Sequence, residues 1–170
     1  MDDLIGKSFI ARMRIVTPEL AGHISFSTRH EIAKSGWLIR GSEDMPAVPL
    51  RFDYVSHADN RIYYEISAAP AGHDFAAHKL GVSYNGYLGF YSVANVTDLW
   101  KIELIGEGAT EQGFRFYLRD SHGQRVAVSA EEELLGNLAN PHPGNLKYFD
   151  YLNVWYGEIV EFEAQVLQLL

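Results

Sequence analysis

The sequence contains no cysteine, which excludes disulfide cross-links and thiolate chemistry. It has no apolar run of the about 18 residues that a membrane helix requires, and its first residues, 1–4 (MDDL), are acidic where a signal peptide is basic. Basic residues are few, since 14 Lys and Arg stand against 22 Asp and Glu for a net charge of −8. No basic cluster is visible, which argues against nucleic acid and anionic lipid surfaces as partners. We therefore expect a soluble protein without a transmembrane segment, either cytoplasmic or exported without a classical signal peptide.

Aromatic residues and glycine, in contrast, are plentiful. The 170 residues include 10 Tyr, 9 Phe and 15 Gly, a composition that favours strands and turns over helices. Hydrophobic residues make up 47% of the chain, which excludes a disordered protein. A chain of this length predicts one domain with a well-buried core, covering residues 1–170.

The clearest local pattern is a β-hairpin near the middle of the chain. Asn85-Gly86 lies between two short alternating apolar runs, 80–84 and 87–90. This dipeptide is typical of a two-residue turn in which both positions have positive φ. A third alternating run follows at Trp100 to Leu104 and predicts a half-buried strand. The unit is therefore strand, turn, strand, loop, strand.

Similar units occur three times along the chain. A pattern of aliphatic, small, apolar and serine residues recurs at 24–27 (ISFS), 80–83 (LGVS) and 126–129 (VAVS). The last strand of the unit also recurs, with Phe52, Ile102 and Phe162 at the middle of its three copies. The recurrence divides the chain into three repeats of four strands, approximately 1–56, 57–108 and 109–170.

These repeats predict an all-β fold with twelve short strands, of the β-trefoil type. In that architecture six strands close a barrel and three hairpins cover one end, which leaves no open sheet edge. The alternatives are another barrel or a β-sandwich, which has strands of similar length but needs no threefold recurrence. The spacing of Ser129 and Glu132 resembles a capping box and predicts a short helical turn near 130–135.

The stretch from Leu80 to Leu104, with LGVSYNGYLGFY followed by LWKIEL, resembles one repeat of the β-trefoil superfamily, of the fascin-like or ricin-B-like lectin kind. The resemblance covers the whole chain in architecture and is close in the second repeat. The Gln-x-Trp signature of ricin-B-type lectins is absent. Trp37, Trp100 and Trp155 fall about once per repeat, but not at one equivalent strand position. The resemblance implies the fold and a general binding role, and it carries over no family's binding residues.

A sugar site requires an aromatic face for the pyranose ring and polar groups for its hydroxyls. The loops between the second and third strands differ among the repeats, so we expect one or two sites. The candidate ligand-binding residues are Arg29, His30 and Trp37 in the first repeat, Tyr84, Asn85 and Tyr87 in the second, and Asn140, His142, Asn145, Tyr148 and Asp150 in the third. The third loop is long enough to be functional. The structural alternatives are that Trp37 packs in the core or a hairpin cap, Asn85 only forms a turn, and the third loop is a solvated insertion.

Enzyme and metal chemistry have weaker support. His73 and His78 are five residues apart, a spacing that fits neither one helix face nor one strand face. Residues 120–122 (DSH) are adjacent in sequence, whereas a catalytic triad is assembled in space. We therefore expect a non-enzymatic lectin without cofactor or metal, whose partners are glycans or glycoproteins. A homo-oligomer would raise its avidity. The alternatives are a protein- or membrane-interacting trefoil of the toxin type and, with less support, a small hydrolase.

Overall fold

The computed structural model describes residues 2–26, 36–41, 47–69, 78–91, 98–106, 113–134 and 146–170. In these ranges the chain forms thirteen strands and one short 3-10 helix, Asp2–Leu4, which confirms the all-β prediction. None of the described helical residues forms a span that could cross a membrane. The strands are β1 (Phe9–Ile15), β2 (Gly22–Phe26), β3 (Leu38–Gly41), β4 (Leu50–Ala58), β5 (Arg61–Ala68), β6 (Lys79–Val82), β7 (Leu88–Tyr91), β8 (Trp100–Leu104), β9 (Gly113–Arg119), β10 (Ala127–Leu134), β11 (Leu146–Asn153), β12 (Glu158–Ile159) and β13 (Phe162–Leu169).

Six of the strands close an antiparallel barrel. The pairing runs from β1 to β4, β5, β8, β9 and β13, and β13 pairs with β1 again. A closed barrel leaves none of its strands at an open edge, where another chain could add by strand pairing.

The barrel interior follows from the period-two patterns of these strands. In β5 every second residue is buried while the intervening ones are partly exposed, as a half-buried strand requires. Phe52, Ile102 and Phe162 are fully buried on β4, β8 and β13. Phe9 stacks on Phe52 with ring centroids 4.8 Å apart, so aromatic side chains from different strands fill the core.

Three further hairpins, β2–β3, β6–β7 and β10–β11, lie in the chain between successive barrel strands. We call them the hairpin triangle, because each contacts the other two through one bridge between single residues. The three bridges pair Trp37 with Gly89, Tyr87 with Asn153, and Tyr151 with Ile39. The triangle therefore brings one hairpin from each third of the chain into contact with the other two.

The β6–β7 hairpin forms where Asn85-Gly86 predicts it, but the predicted turn type is wrong. The N–H of Ser83 donates to the carbonyl of Tyr87 (2.8 Å), which leaves a loop of three residues, 84–86. Gly86 has a φ of +87°, whereas Asn85 keeps a negative φ. This is a type I turn followed by glycine in the left-handed region, another common hairpin connection. Of the two residues Asn85 and Gly86, only Gly86 therefore adopts a backbone conformation that favours glycine.

The helical turn expected near 130–135 is also wrong for the residues that the structure describes. Residues 130–134 continue β10, which pairs with β11 in unbroken register from Ala127 opposite Asn153 to Leu134 opposite Leu146. Tertiary pairing outweighs the weak local helix signal.

The last stretch of the chain, 158–169, forms two strands rather than one. Its first two residues pair with β10 as β12, and the later ones join the barrel as β13. Between them, the N–H of Glu161 donates to Thr17 Oγ1 (2.9 Å). The chain changes partners at this point, which accounts for thirteen described strands instead of twelve.

Candidate functional site

Three aromatic side chains, Trp37, Tyr87 and Tyr151, meet where the hairpins of the triangle contact one another. Trp37 stacks on Tyr87 with centroids 4.4 Å apart and planes 18° apart. Tyr151 presents its edge to both rings, at 5.8 and 5.9 Å. Tyr151 is fully buried and Tyr87 is nearly so. We call these residues the inner triad, and their packing holds the three hairpins together.

The sequence makes room for this packing at Gly89. A Cβ atom on Gly89 would lie 2.9 Å from Cδ1 of Trp37, closer than side chains tolerate. Because Gly89 has no side chain, the ring of its bridge partner Trp37 can lie directly on the backbone of β7.

Two of the ligand-binding candidates predicted from the sequence, Trp37 and Tyr87, belong to the inner triad. Their stacked faces cover each other, as the hairpin-packing alternative expects. Asp150, a third candidate, forms an ion pair and hydrogen bond with Arg40 that joins β11 to β3. Tyr148 belongs to β11 by its backbone. The remaining candidates of the first and third repeats, Arg29, His30, Asn140, His142 and Asn145, lie outside the described residues.

The second-repeat candidates Tyr84 and Asn85 are at the exposed tip of the β6–β7 hairpin. The side chain of Tyr84 is 94% exposed, and Asn85 is exposed beside it. These two residues are available to a ligand.

Two aromatic residues that the sequence analysis did not select, Trp155 and Tyr156, adjoin this tip. They are 58% and 46% exposed. A Cβ atom on Gly86 would lie 2.7 Å from Cγ of Trp155, so the indole ring rests directly on the glycine of the turn. The loop after β11 is thereby packed on the hairpin tip that carries Tyr84. We call Tyr84, Trp155 and Tyr156 the aromatic platform.

Asn153 fixes the conformation of the loop that presents the platform. Its side chain is fully buried, and its Oδ1 accepts hydrogen bonds from the backbone N–H groups of Trp155 (3.0 Å) and Tyr156 (2.8 Å). Its Nδ2 donates to Ser129 Oγ at 3.0 Å. Both ends of the buried amide are therefore satisfied, and the side chain imposes an Asx turn.

Gly157 then lets the loop pass close to β10. It has a φ of +105°, in the left-handed region, and a Cβ atom there would lie 2.2 Å from the carbonyl oxygen of Val128. Neither condition is compatible with a side chain. The loop 154–157 is thus fixed at its start by Asn153 and at its end by Gly157.

Tyr156 connects the platform to the inner triad. Its hydroxyl hydrogen-bonds with the Tyr87 hydroxyl and lies 2.9 Å from Oε1 of Glu131, to which it donates. Burial, the hydrogen bond to Glu131 and the charge of that carboxylate together raise the pKa of Tyr156 to about 12. The phenol therefore stays neutral, and a carboxylate and hydroxyls capable of binding sugar hydroxyls lie beside exposed aromatic rings.

Within the described ranges, no group of three or more His, Cys, Asp or Glu residues could hold a metal ion. Of the two histidines considered from the sequence, His78 lies within those ranges and His73 lies outside them. His122 is mostly exposed and lies 3.7 Å from Oδ2 of Asp120, whose carboxylate accepts the N–H groups of His122 and Gln124. Residues 120–122 therefore belong to a turn, which the N–H of Gly123 closes by donating to the carbonyl of Asp120 at 3.0 Å.

One signal in the sequence could have indicated the platform. Trp155 and Tyr156 are consecutive aromatics between an alternating strand and a glycine, and two adjacent residues of an extended chain cannot both face one core.

Comparisons of the chain with protein-family models, with curated proteins and with solved structures found no match.

Proposed function

We propose that this protein is a β-trefoil that binds carbohydrate through its aromatic platform and does no catalysis. The trefoil assignment is supported by the six-stranded barrel and by three hairpins inserted between barrel strands. The cyclic bridges of the hairpin triangle add to this support, because each joins one third of the chain to the next.

The observation that carries the binding proposal is the exposure of Tyr84, Trp155 and Tyr156 on two adjoining loops. Aromatic rings that stay exposed to solvent contribute little to the free energy of folding, and a group of them indicates a contact surface. A pyranose ring presents an apolar face that stacks on an indole. The Glu131 carboxylate and the Asn85 amide supply acceptors and donors for the sugar hydroxyls.

The site is an open surface rather than a deep pocket, so affinity for one sugar unit is expected to be weak. Repeated epitopes on a glycan or glycoprotein, or oligomers of this chain, would then raise the apparent affinity through avidity.

The test is a glycan array probed with the labelled protein and with two variants shown by circular dichroism to be folded. Trp155→Ala removes the stacking surface, and Val55→Ala removes a similarly exposed apolar side chain from β4. Binding of one glycan class by the wild type and by Val55→Ala, lost in Trp155→Ala, supports the proposal. Silence of the wild-type protein across the array contradicts it. The platform would then be assigned to a protein or membrane partner, for which pulldown and liposome-leakage assays are the next measurements.

A further inference from the structure

Three arginines surround one glutamate on the outer face of the barrel. Arg119 Nε lies 2.5 Å from Oε2 of Glu103, and Arg125 Nη2 and Arg61 Nη2 lie 2.9 and 3.4 Å from its Oε1. They come from β9, from the turn after it, and from β5 on the other side of β8. We call Arg61, Arg119 and Arg125 the arginine cluster.

The cluster carries more positive charge than its partner neutralises. Among the described residues, Glu103 is the only acidic side chain paired with the three arginines. Burial alone would raise the pKa of Glu103, but the hydrogen bonds from Arg119 and Arg125 and the charges of Arg119 and Arg61 outweigh it and lower the pKa to about 2. The glutamate is ionised, and three cations against one anion leave a local surplus of two positive charges in a chain whose net charge is −8.

The guanidinium groups are held in place before any ligand arrives. The Arg125 guanidinium lies over the Tyr117 ring, 4.0 Å from its centroid. Arg119 Nη1 donates to the carbonyl of Gly123 at 2.7 Å. Such fixed cations lose little side-chain entropy on binding.

Two guanidinium nitrogens of the cluster have no partner within the part of the chain that the structure describes. Neither Arg119 Nη2 nor Arg125 Nη1 makes a hydrogen bond with a residue of the described ranges. Their side chains are 22% and 32% exposed. Lys101 lies opposite Arg119 across the β8–β9 pair and adds a further positive charge next to the cluster.

We propose that the arginine cluster is a binding site for a tetrahedral oxyanion group, a sulfate or phosphate monoester. Arginine presents planar paired donors that match such oxygens. Arg115, on the same strand, provides a contrast, because Glu161 pairs with it at 2.5 Å and leaves no surplus charge. The cluster shares no residue with the aromatic platform, and this proposal does not rest on the sugar proposal.

The test is a titration of ¹⁵N-labelled protein with sodium sulfate at constant ionic strength, following the arginine Nε–H signals by NMR. We expect saturable shifts of the Arg119 and Arg125 signals. Removal of one charge-assisted contact in Arg125→Gln should weaken sulfate binding about tenfold, and Arg115→Gln should leave it unchanged. If Arg125→Gln does not fold, Lys101→Gln is measured instead and should weaken binding through the lost charge. Shifts that increase linearly without saturation, or that are equal in all variants, overturn the proposal.

A second arm distinguishes the sources of the oxyanion. Galactose 6-sulfate, glucose 6-phosphate and the two unmodified sugars are titrated in the same way. Stronger binding of the sulfated sugar than of inorganic sulfate assigns the site to sulfated saccharides, and the corresponding result with the phosphate ester assigns it to phosphorylated ones. Saturable shifts with the unmodified sugars contradict an oxyanion site.

Discussion

Two groups of three aromatic residues lie next to each other in this molecule and have opposite exposure. The inner triad consists of Trp37, Tyr87 and Tyr151, and the aromatic platform consists of Tyr84, Trp155 and Tyr156. They share chain segments, since Tyr84 and Tyr87 are three positions apart and Tyr151 and Trp155 are four positions apart. Tyr87 is 6% exposed and Tyr84 is 94% exposed. Similar side chains close in sequence therefore have different roles.

The difference shows how folding energy and binding surface are divided between the two groups. Ring area that is removed from water in the inner triad stabilises the hairpin triangle. Ring area that stays in water on the platform contributes little to folding and is free for another molecule. The Tyr156 hydroxyl, bonded to that of Tyr87, joins the two groups, so the triad also positions the platform.

Tyr151→Ala should produce the largest loss of stability. Removal of a fully buried aromatic side chain costs about 3–5 kcal/mol of the free energy of unfolding, because lost packing and a cavity both contribute. The matched control is Tyr84→Ala, which should change stability by less than about 0.5 kcal/mol. Urea denaturation measures both, and equal losses in the two variants would remove the distinction between triad and platform.

Gly86→Ala should cost about 2 kcal/mol and weaken glycan binding, because it strains a residue with φ of +87° and pushes against Trp155. Gly6→Ala is the control, since Gly6 has a φ of +78° but no atom within 4 Å of its Cβ position. The excess loss at Gly86 measures the contact with the indole ring. Denaturation midpoints that fall equally in both variants would show that Trp155 does not rest on this turn.

Glu103→Gln should make a smaller change that, unlike those of the aromatic regions, depends on pH. The pKa of Glu103 in the fold, about 2, is below its ordinary value of 4.5. The carboxylate therefore stabilises the fold above pH 4.5, and this contribution is lost as the pH falls through 2. We expect the free energy of unfolding of the wild type to exceed that of the variant by about 1 kcal/mol at pH 7, after allowance for solvent screening.

Thermal unfolding of the wild type and Glu103→Gln across this pH range measures the difference. It should approach zero near pH 2. A difference that does not change with pH would contradict the ion-pair account of Glu103.

Trp155→Ala should have only a small effect on stability, less than about 1 kcal/mol, because more than half of the side chain is already in water. Its effect on glycan binding should nevertheless be the largest of these variants. Asn153→Ala is the informative companion, because it removes the side chain that orients the platform loop. It should weaken binding while leaving the indole ring present, and parallel thermal unfolding and array measurements check both.

The strands of this fold could be predicted from sequence largely because their hydrophobic alternation is local. The site is not local in that sense. Gly86 and Trp155 are 69 positions apart, and nothing in either segment indicates that one covers the other until the hairpins are assembled. Asn153 illustrates the same limit, since its role depends on being buried beside Ser129. The β10 extension through 130–134 was missed because its partner strand, and not its own residues, determines its conformation.

The most direct test of the binding account follows the three tryptophan indole N–H signals by NMR while a panel of galactose, N-acetylglucosamine, mannose and fucose is titrated. Trp100 is an internal reference, because it is fully buried and its Nε1 donates to the carbonyl of Leu80 at 3.0 Å. A Trp155→Phe variant assigns the platform signal. We predict a saturable shift of the Trp155 signal with at least one sugar and none for Trp100. The absence of any response to every sugar, or a response confined to Trp37 or Trp100, would contradict the proposed platform.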